Sequence, residues 1–299
     1  MAQVDVILPV ETPRELPVVR SIRLSDLRDA LAKGVDDFRA MPTHVIFLSL
    51  IYPIVGIALG SATFGYDLLP LVFPLAAGFA LIGPFAAIGL YELSRRREQG
   101  LDTSWKHAFD IVHSPSIRPI LALGCLLLAI FAIWITVANA IYAAAFGDEA
   151  PTTPITFARN VLTTPQGHSL IVVGNAVGFL FAVVAFLLSV VSFPLLLDRN
   201  VGVAVAIVTS VKAVLKNPVT MAAWGLFVAG TLLVASLPFL IGLAVAMPVL
   251  GHSTWHLYRK VVEPDLSPRP DFNPPARGRR YGADLPVSLF VPSRPGDTP

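Results

Sequence analysis

The chain has 299 residues, 55% of them hydrophobic and only 14% charged, against roughly 25% charged in an average soluble domain. This balance excludes an ordinary soluble globular protein and directs the reading toward lipid. The formal net charge of +2 is too small for a nucleic-acid-binding surface. The single cysteine, Cys125, excludes a disulfide framework and is assigned to helix packing.

Residues 1–42 are polar and punctuated by proline, without the apolar stretch of a cleavable signal, and 1–24 are expected as a cytoplasmic N-terminal tail. Residues 25–41 read as an amphipathic helix: Leu27, Leu31, Val35 and Phe38 recur at three- and four-residue spacing, Asp29, Asp36, Asp37 and Arg39 fall elsewhere, and Pro42 follows. Residues 43–62 and 68–91 are uncharged runs of about 20 residues, the length that crosses a ~30 Å hydrocarbon layer. Trp105, Ala108, Phe109 and Val112 repeat the amphipathic pattern before Pro115, and the third span falls in 117–146 with Arg118 at its start. The fourth falls in 169–197, and the pattern returns in 203–216 through Ile207, Val208, Val211 and Val214 before Asn217-Pro218. Residues 219–258 lack Asp, Glu, Lys and Arg; as one helix they would be about 60 Å long, so two spans broken near Pro238 are expected. Residues 264–299 carry nine prolines and too little apolar surface for a domain, which predicts a disordered cytoplasmic tail.

Charge orients these spans, because Lys and Arg collect on the cytoplasmic side. Six spans place 21 of the 22 basic residues on one side and leave Arg159 on the other; five spans would divide them 14 to 8. The expected fold is therefore all-α: a polytopic helical membrane bundle over 25–263, with both termini cytoplasmic. Its six transmembrane spans form three parallel hairpin repeats, each introduced by a short amphipathic interfacial helix. Pro84 precedes Arg95 by eleven residues and Pro248 precedes Arg259 by eleven, whereas Pro194 is followed sooner by Asp198-Arg199. The pairs Gly56/Gly60 and Gly174/Gly178 have the spacing that lets helices approach closely.

No ionisable residue falls at mid-span, where one would mark an ion or substrate path. The neutral residues Thr136, Asn139, Asn175 and Ser189 are expected to bond between helices. Polar and aromatic residues gather instead at the ends of the even-numbered spans: Tyr91, Glu92 and Arg95; Asp198 and Arg199; His252, Trp255, His256 and Arg259. The four-residue spacing of His252 and His256 suits two ligands on one metal, with His44 a candidate third on the same side. Two histidines do not define a metal site, and these residues equally fit the roles of interfacial anchors and helix-end partners. The face carrying His252, Trp255, His256 and Arg259 is expected to turn into the bundle toward Glu92 or Asp198, because a charge-assisted hydrogen bond there is partly desolvated.

Four stretches carry a resemblance. They are Gly89-Leu90-Tyr91-Glu92-Leu93-Ser94-Arg95-Arg96, Phe193-Pro194-Leu195-Leu196-Leu197-Asp198-Arg199, Thr209-Ser210-Val211-Lys212 through Asn217-Pro218, and Gly251-His252-Ser253-Thr254-Trp255-His256-Leu257-Tyr258-Arg259. Over about residues 20–263 the chain resembles the bacterial integral membrane proteins catalogued as domain-of-unknown-function family 2189. The resemblance implies a bacterial inner-membrane protein and brings no catalytic residue with it. A haem–copper oxidase subunit needs intramembrane histidines, and none of the six here lies mid-span. Three functions stay open: a non-enzymatic scaffold or assembly partner for other membrane proteins or for self-association, a small-solute transporter or channel, and a metal- or haem-binding protein. No cofactor is expected; the lipid bilayer is the expected partner, and nucleic acid is not.

Overall fold

A computed structural model describes residues 16–41, 56–57, 60, 69–79, 83–147, 153–237 and 241–265. Nearly all of the first expected span, His44, Pro238 and the tail beyond Asp265 lie outside them. The described residues fold as helices, and their only β pairing is an isolated antiparallel bridge between Val19 and Val262.

Helix α1, Leu24–Ala40, starts where Asp26 in its first turn accepts from the Arg23 N–H at 2.8 Å, which satisfies a donor next to the helix end. The expected second span is not one helix. Its described residues form α2, Val72–Phe79, α3, Gly83–Ala86, and α4, Ile88–Glu98, with a break at Ala87; Pro84, which lacks the backbone donor a continuous helix uses, stands just before it. Trp105–His113 is helical as expected but as a 3₁₀-helix.

Helix α5, Ile117–Phe146, is unbroken over 30 residues, about 45 Å and longer than the hydrocarbon layer. The segment expected to link it to the fourth span holds a helix of its own, α6, Pro154–Thr163. Helix α7, Pro165–Ser189, begins with Thr164 accepting from the Gly167 N–H at 3.0 Å and Pro165 in its first turn, where a missing N–H costs nothing. A break at Val190–Val191 separates it from α8, Ser192–Asp198. The Val191 N–H freed there donates to Ser210 Oγ at 3.2 Å. Ser210 belongs to α9, Val203–Lys216; α10, Pro218–Ser236, and α11, Leu243–Val261, follow. The 219–258 run is thus two helices, and the interruption flanks Pro238.

Among the described residues, three helical segments are long and apolar enough to cross a membrane: Ile117–Phe146, Pro165–Asp198 and Pro218–Ser236. Their outward faces are apolar: Leu128, Ile133, Phe179, Leu226 and Leu233 are exposed, as helices bathed in lipid require. The main core lies at the other end of the chain's packing, where α4, α8 and α11 touch one another. Phe193, Leu195, Leu196, Leu93, Trp255 and Leu257 are buried there. Three amphipathic helices cover this core: α1 packs on α11, the 105–113 helix on α4, and α9 on α7 and α8.

These covering helices, expected at the membrane interface, bury chiefly small side chains against the core. Helix α1 buries Ala30, Gly34 and Asp37, while Leu31, Val35 and Phe38 are only half-buried. The 105–113 helix buries Ala108 and leaves Trp105, Phe109 and Val112 exposed. Helix α9 buries Ala206, Thr209, Ser210 and Ala213. Small side chains let two backbones approach, while Leu27, Ile111, Ile207 and Val214 pack against the core in part.

Several sequence expectations need correction here. Thr136 and Asn175 bond to carbonyls four residues back in their own helices, at 3.0 and 2.7 Å, and Asn139 is exposed; only Ser189 of that group is buried. Cys125 is exposed rather than packed. Of the second glycine pair, Gly178 lies against the Trp134 ring, where a Cβ would come within 2.9 Å, but Gly174 has open space beside it.

Candidate functional site

The polar cluster is built on the C-terminal half of α11, which the core encloses. His252 is 0% exposed and Trp255 and Tyr258 are each 1% exposed. The expected partners of the two histidines, Glu92 and Asp198, are not their partners. Both histidines meet Asp37 of α1, which is 3% exposed.

Asp37 Oδ2 accepts from Ser94 Oγ at 2.6 Å and from His256 Nε2 at 2.8 Å, while Arg97 donates to Oδ1. His252 Nδ1 lies 2.6 Å from the same Ser94 hydroxyl and 3.9 Å from Oδ2. Ser94 has one proton and gives it to the carboxylate, so His252 Nδ1 must be the donor to Ser94 Oγ. In a neutral ring Nε2 is then a bare acceptor. It is buried without a hydrogen-bond partner, a smaller cost than a buried orphan N–H.

Burial works to raise the Asp37 pKa, but hydrogen bonds from His256, Ser94 and Arg97 and the charge of His256 outweigh it. The result falls from 3.8 to about 2. A folded-state pKa below the unfolded value gives stability that is present above the unfolded value and lost as pH falls through the folded one. Wild-type protein in detergent is therefore expected to lose melting temperature between pH 3.8 and about 2 through this group. The Asp37→Asn variant lacks the titrating group, so its melting temperature should fall less over that window; parallel curves would show that Asp37 is not the source.

The other members of the cluster form two further groups. Tyr258 donates to Asp198 Oδ2 at 2.6 Å, and Arg199 Nε and Arg259 Nη1 lie 3.5 and 3.8 Å from that oxygen. Arg259 Nε and Trp255 Nε1 each donate to a Glu98 oxygen at 3.1 Å. Glu92 is held instead by Arg95 in a two-point contact, both distances 2.7 Å, the geometry in which guanidinium and carboxylate bond best. Arg96 lies 3.8 Å from Glu92 and 3.4 Å from Asp110, and donates to the Asp102 carbonyl at 2.6 Å. His107 lies between Asp102 and Asp110 at 2.9 and 2.6 Å. These bonds fasten the 105–113 helix to α4. Tyr91 is buried beside this group.

The extended segment 18–22 closes the same end. Arg20 N donates to the Val261 carbonyl at 2.7 Å and Glu263 N to that of Val18 at 3.0 Å. Asn217 accepts from the Ile22 N–H at 2.8 Å and donates to the Arg20 carbonyl at 3.0 Å. The Asn217-Pro218 pair therefore holds the chain's start as well as capping α9 and opening α10.

All nine sequence-predicted site residues lie at this end of the bundle, but as three groups rather than one. Asp37, Ser94, Arg97, Glu98 and Tyr258 are the partners that sequence reading left out. For Asp37 a signal existed: it stands in the stripe Ala30, Gly34, Asp37, whose four- and three-residue spacing marks one helix face. Among the described residues no group of three or more His, Cys, Asp or Glu side chains is disposed to hold a metal ion. His252 Nδ1 and His256 Nε2 are taken by Ser94 and Asp37.

Spans of lipid-compatible length and an apolar outer surface define an integral membrane protein. Residues 72–198 match the family described as predicted integral membrane protein, DUF2189. No curated protein and no solved structure matches the chain.

Proposed function

We propose that this integral membrane protein is a non-enzymatic scaffold or assembly partner for other membrane proteins, crossing the membrane six times with both termini in the cytoplasm. The observation that carries the reading is how the polar side chains at the α4, α8 and α11 ends are used. Asp37, Ser94, Asp198 and Tyr258 are buried and bonded across helices, and Glu92 is buried in a two-point contact with Arg95 of its own helix, so they knit a fixed platform in place of a solvated binding site. A buried hydrogen-bond network rigidifies the elements it joins.

The arrangement of three parallel hairpins draws support from a cyclic packing pattern. Each amphipathic helix introduces one expected hairpin but packs on the even-numbered helix of another: α1 on α11, the 105–113 helix on α4, and α9 on α7 and α8. Equivalent positions recur at two of these contacts. Gly34 meets Ser253, five residues after Pro248, and Ala108 meets Gly89, five residues after Pro84. Repetition about one axis along the membrane normal accounts for this.

Transport and metal binding remain alternatives with narrower support. The first rests on a cleft beside Asn175, the second on two histidines already engaged by protein partners. Topology is tested with reporter fusions: those after Ala62, Glu149 and Ser236 should report outside, and those after Gly100, Asn200 and Pro264 inside. An outside signal at Pro264 would leave five spans. The scaffold role is tested by crosslinking in intact membranes followed by affinity purification. A membrane protein recovered in fixed ratio is expected; a chain that purifies alone and carries solute across liposomes would replace scaffold with transporter.

A further inference from the structure

A cleft of about 460 Å³ lies between α2, α5, α6 and α7, away from the polar cluster. Trp134 forms part of its wall, fixed by donating to the Pro74 carbonyl at 3.0 Å and by packing on Phe181. Phe73, Tyr142 and Phe157 add aromatic surface, and Gly174 leaves its side open. None of the described residues lining it is charged. Asn175, also at the wall, has its amide nitrogen bonded to the Ile171 carbonyl at 2.7 Å.

The size is within the range of pockets that hold small molecules, roughly 300–1,000 Å³. Its two long walls, α5 and α7, belong to segments of span length with mean hydropathy 2.8 and 2.7, so the surrounding medium is hydrocarbon. Water needs two to four polar partners to stay in a cavity, and this lining has few to give. Left empty, the cleft would forfeit the dispersion contacts of its aromatic walls. Phe73 and Ile171 on its rim are exposed, which gives a chain from the bilayer a way in.

We propose that this cleft is a binding site for a single acyl chain of a membrane lipid. The inference stands apart from the scaffold reading, because it concerns another part of the fold and needs no partner protein. Gly174 is the position that tests it. An ideal Cβ there meets nothing within 4 Å, so Gly174→Leu fills the cleft without driving into backbone.

The experiment titrates a fatty acid bearing a diazirine on its chain into the detergent-solubilised full-length protein. Photolysis and peptide mapping then locate the adducts. Labelling in the peptides that hold Phe73, Trp134, Phe157 and Gly174 should saturate at about one probe per chain and be displaced by excess unlabelled fatty acid. Labelling at Leu226 and Leu233, exposed on α10, should rise without saturation. Gly174→Leu should lower cleft labelling at least tenfold, leave α10 labelling unchanged and keep the wild-type melting temperature. Unsaturable cleft labelling would overturn the proposal, and so would equal labelling of cleft and α10 in the wild type. Those two wild-type outcomes decide the matter even if the variant fails to fold. Unaltered cleft labelling in a folded Gly174→Leu protein would overturn it as well.

Discussion

Asp37→Ala is expected to destabilise the protein by roughly 3–5 kcal/mol, the usual consequence of removing one partner from a buried ionic network. The carboxylate accepts from Ser94, His256 and Arg97. Arg97 is 41% exposed in its side chain and can turn to water, so little of the loss comes from it. Ser94 is fully buried and the His256 side chain is 12% exposed. Both would lose their acceptor in a place water reaches poorly, and a stranded donor carries its full desolvation cost. Asp37→Asn keeps the volume and one oxygen acceptor and should cost less, about 1–3 kcal/mol. Melting of the detergent-solubilised variants measures both. A double-mutant cycle between Asp37 and His256 should return a coupling of about 1–3 kcal/mol. Zero coupling would mean that the contact contributes nothing to the fold, and equal melting temperatures for wild type and Asp37→Ala would remove the network from the account of stability.

Sequence reading reached the helices whose evidence is local and stopped where the evidence is not. The 117–146 run became α5 with the same bounds, because 30 mostly apolar residues, charged only at Arg118, between a proline-marked start and Gly147 allow little else. The break inside 219–258 was legible from length alone. The interruptions at Ala87 and at Val190–Val191 were not, since what stabilises the second is a hydroxyl from another helix, Ser210. The site was half legible for the same reason. Clustering at helix ends was visible in Glu92, Asp198 and the 252–259 stretch. Pairing was not, because Asp37 stands over 200 residues from His256 in the chain and reads locally as a solvated charge on an amphipathic helix. Apolar periodicity marked Leu31, Val35 and Phe38 of α1 as an interfacial face and said nothing of the face that docks on protein. That face carries Ala30, Gly34 and Asp37, because a helix pressed against another backbone buries its smallest residues.

Gly34→Ala tests that last point and is expected to separate α1 from α11. The two helices run antiparallel, as three contacts along them show. Lys260 lies 2.7 Å from Asp29 and 3.4 Å from Asp26, Gly34 sits on Ser253, and Asp37 reaches His252 and His256. In an isolated helix the substitution would help, since Ala is favoured over Gly by about 1 kcal/mol. Here an ideal Cβ would lie 2.0 Å from Ser253 Oγ, 2.6 Å from its nitrogen and 2.8 Å from its Cα. The hydroxyl can rotate away; the backbone atoms cannot. Overpacking of this kind costs about 1–3 kcal/mol, and relieving it by lifting α1 withdraws Asp37 from Ser94 and His256. The melting temperature should therefore fall despite the gain in helix propensity. Gly34→Ala and Asp37→Ala should also be less than additive when combined, because each undoes the same docking. Gly174→Ala, with open space at its Cβ, is the matched control and should melt no lower than wild type. A Gly34→Ala protein as stable as that control, with α1 still protected from protease, would show that α1 and α11 are not in backbone contact at this position.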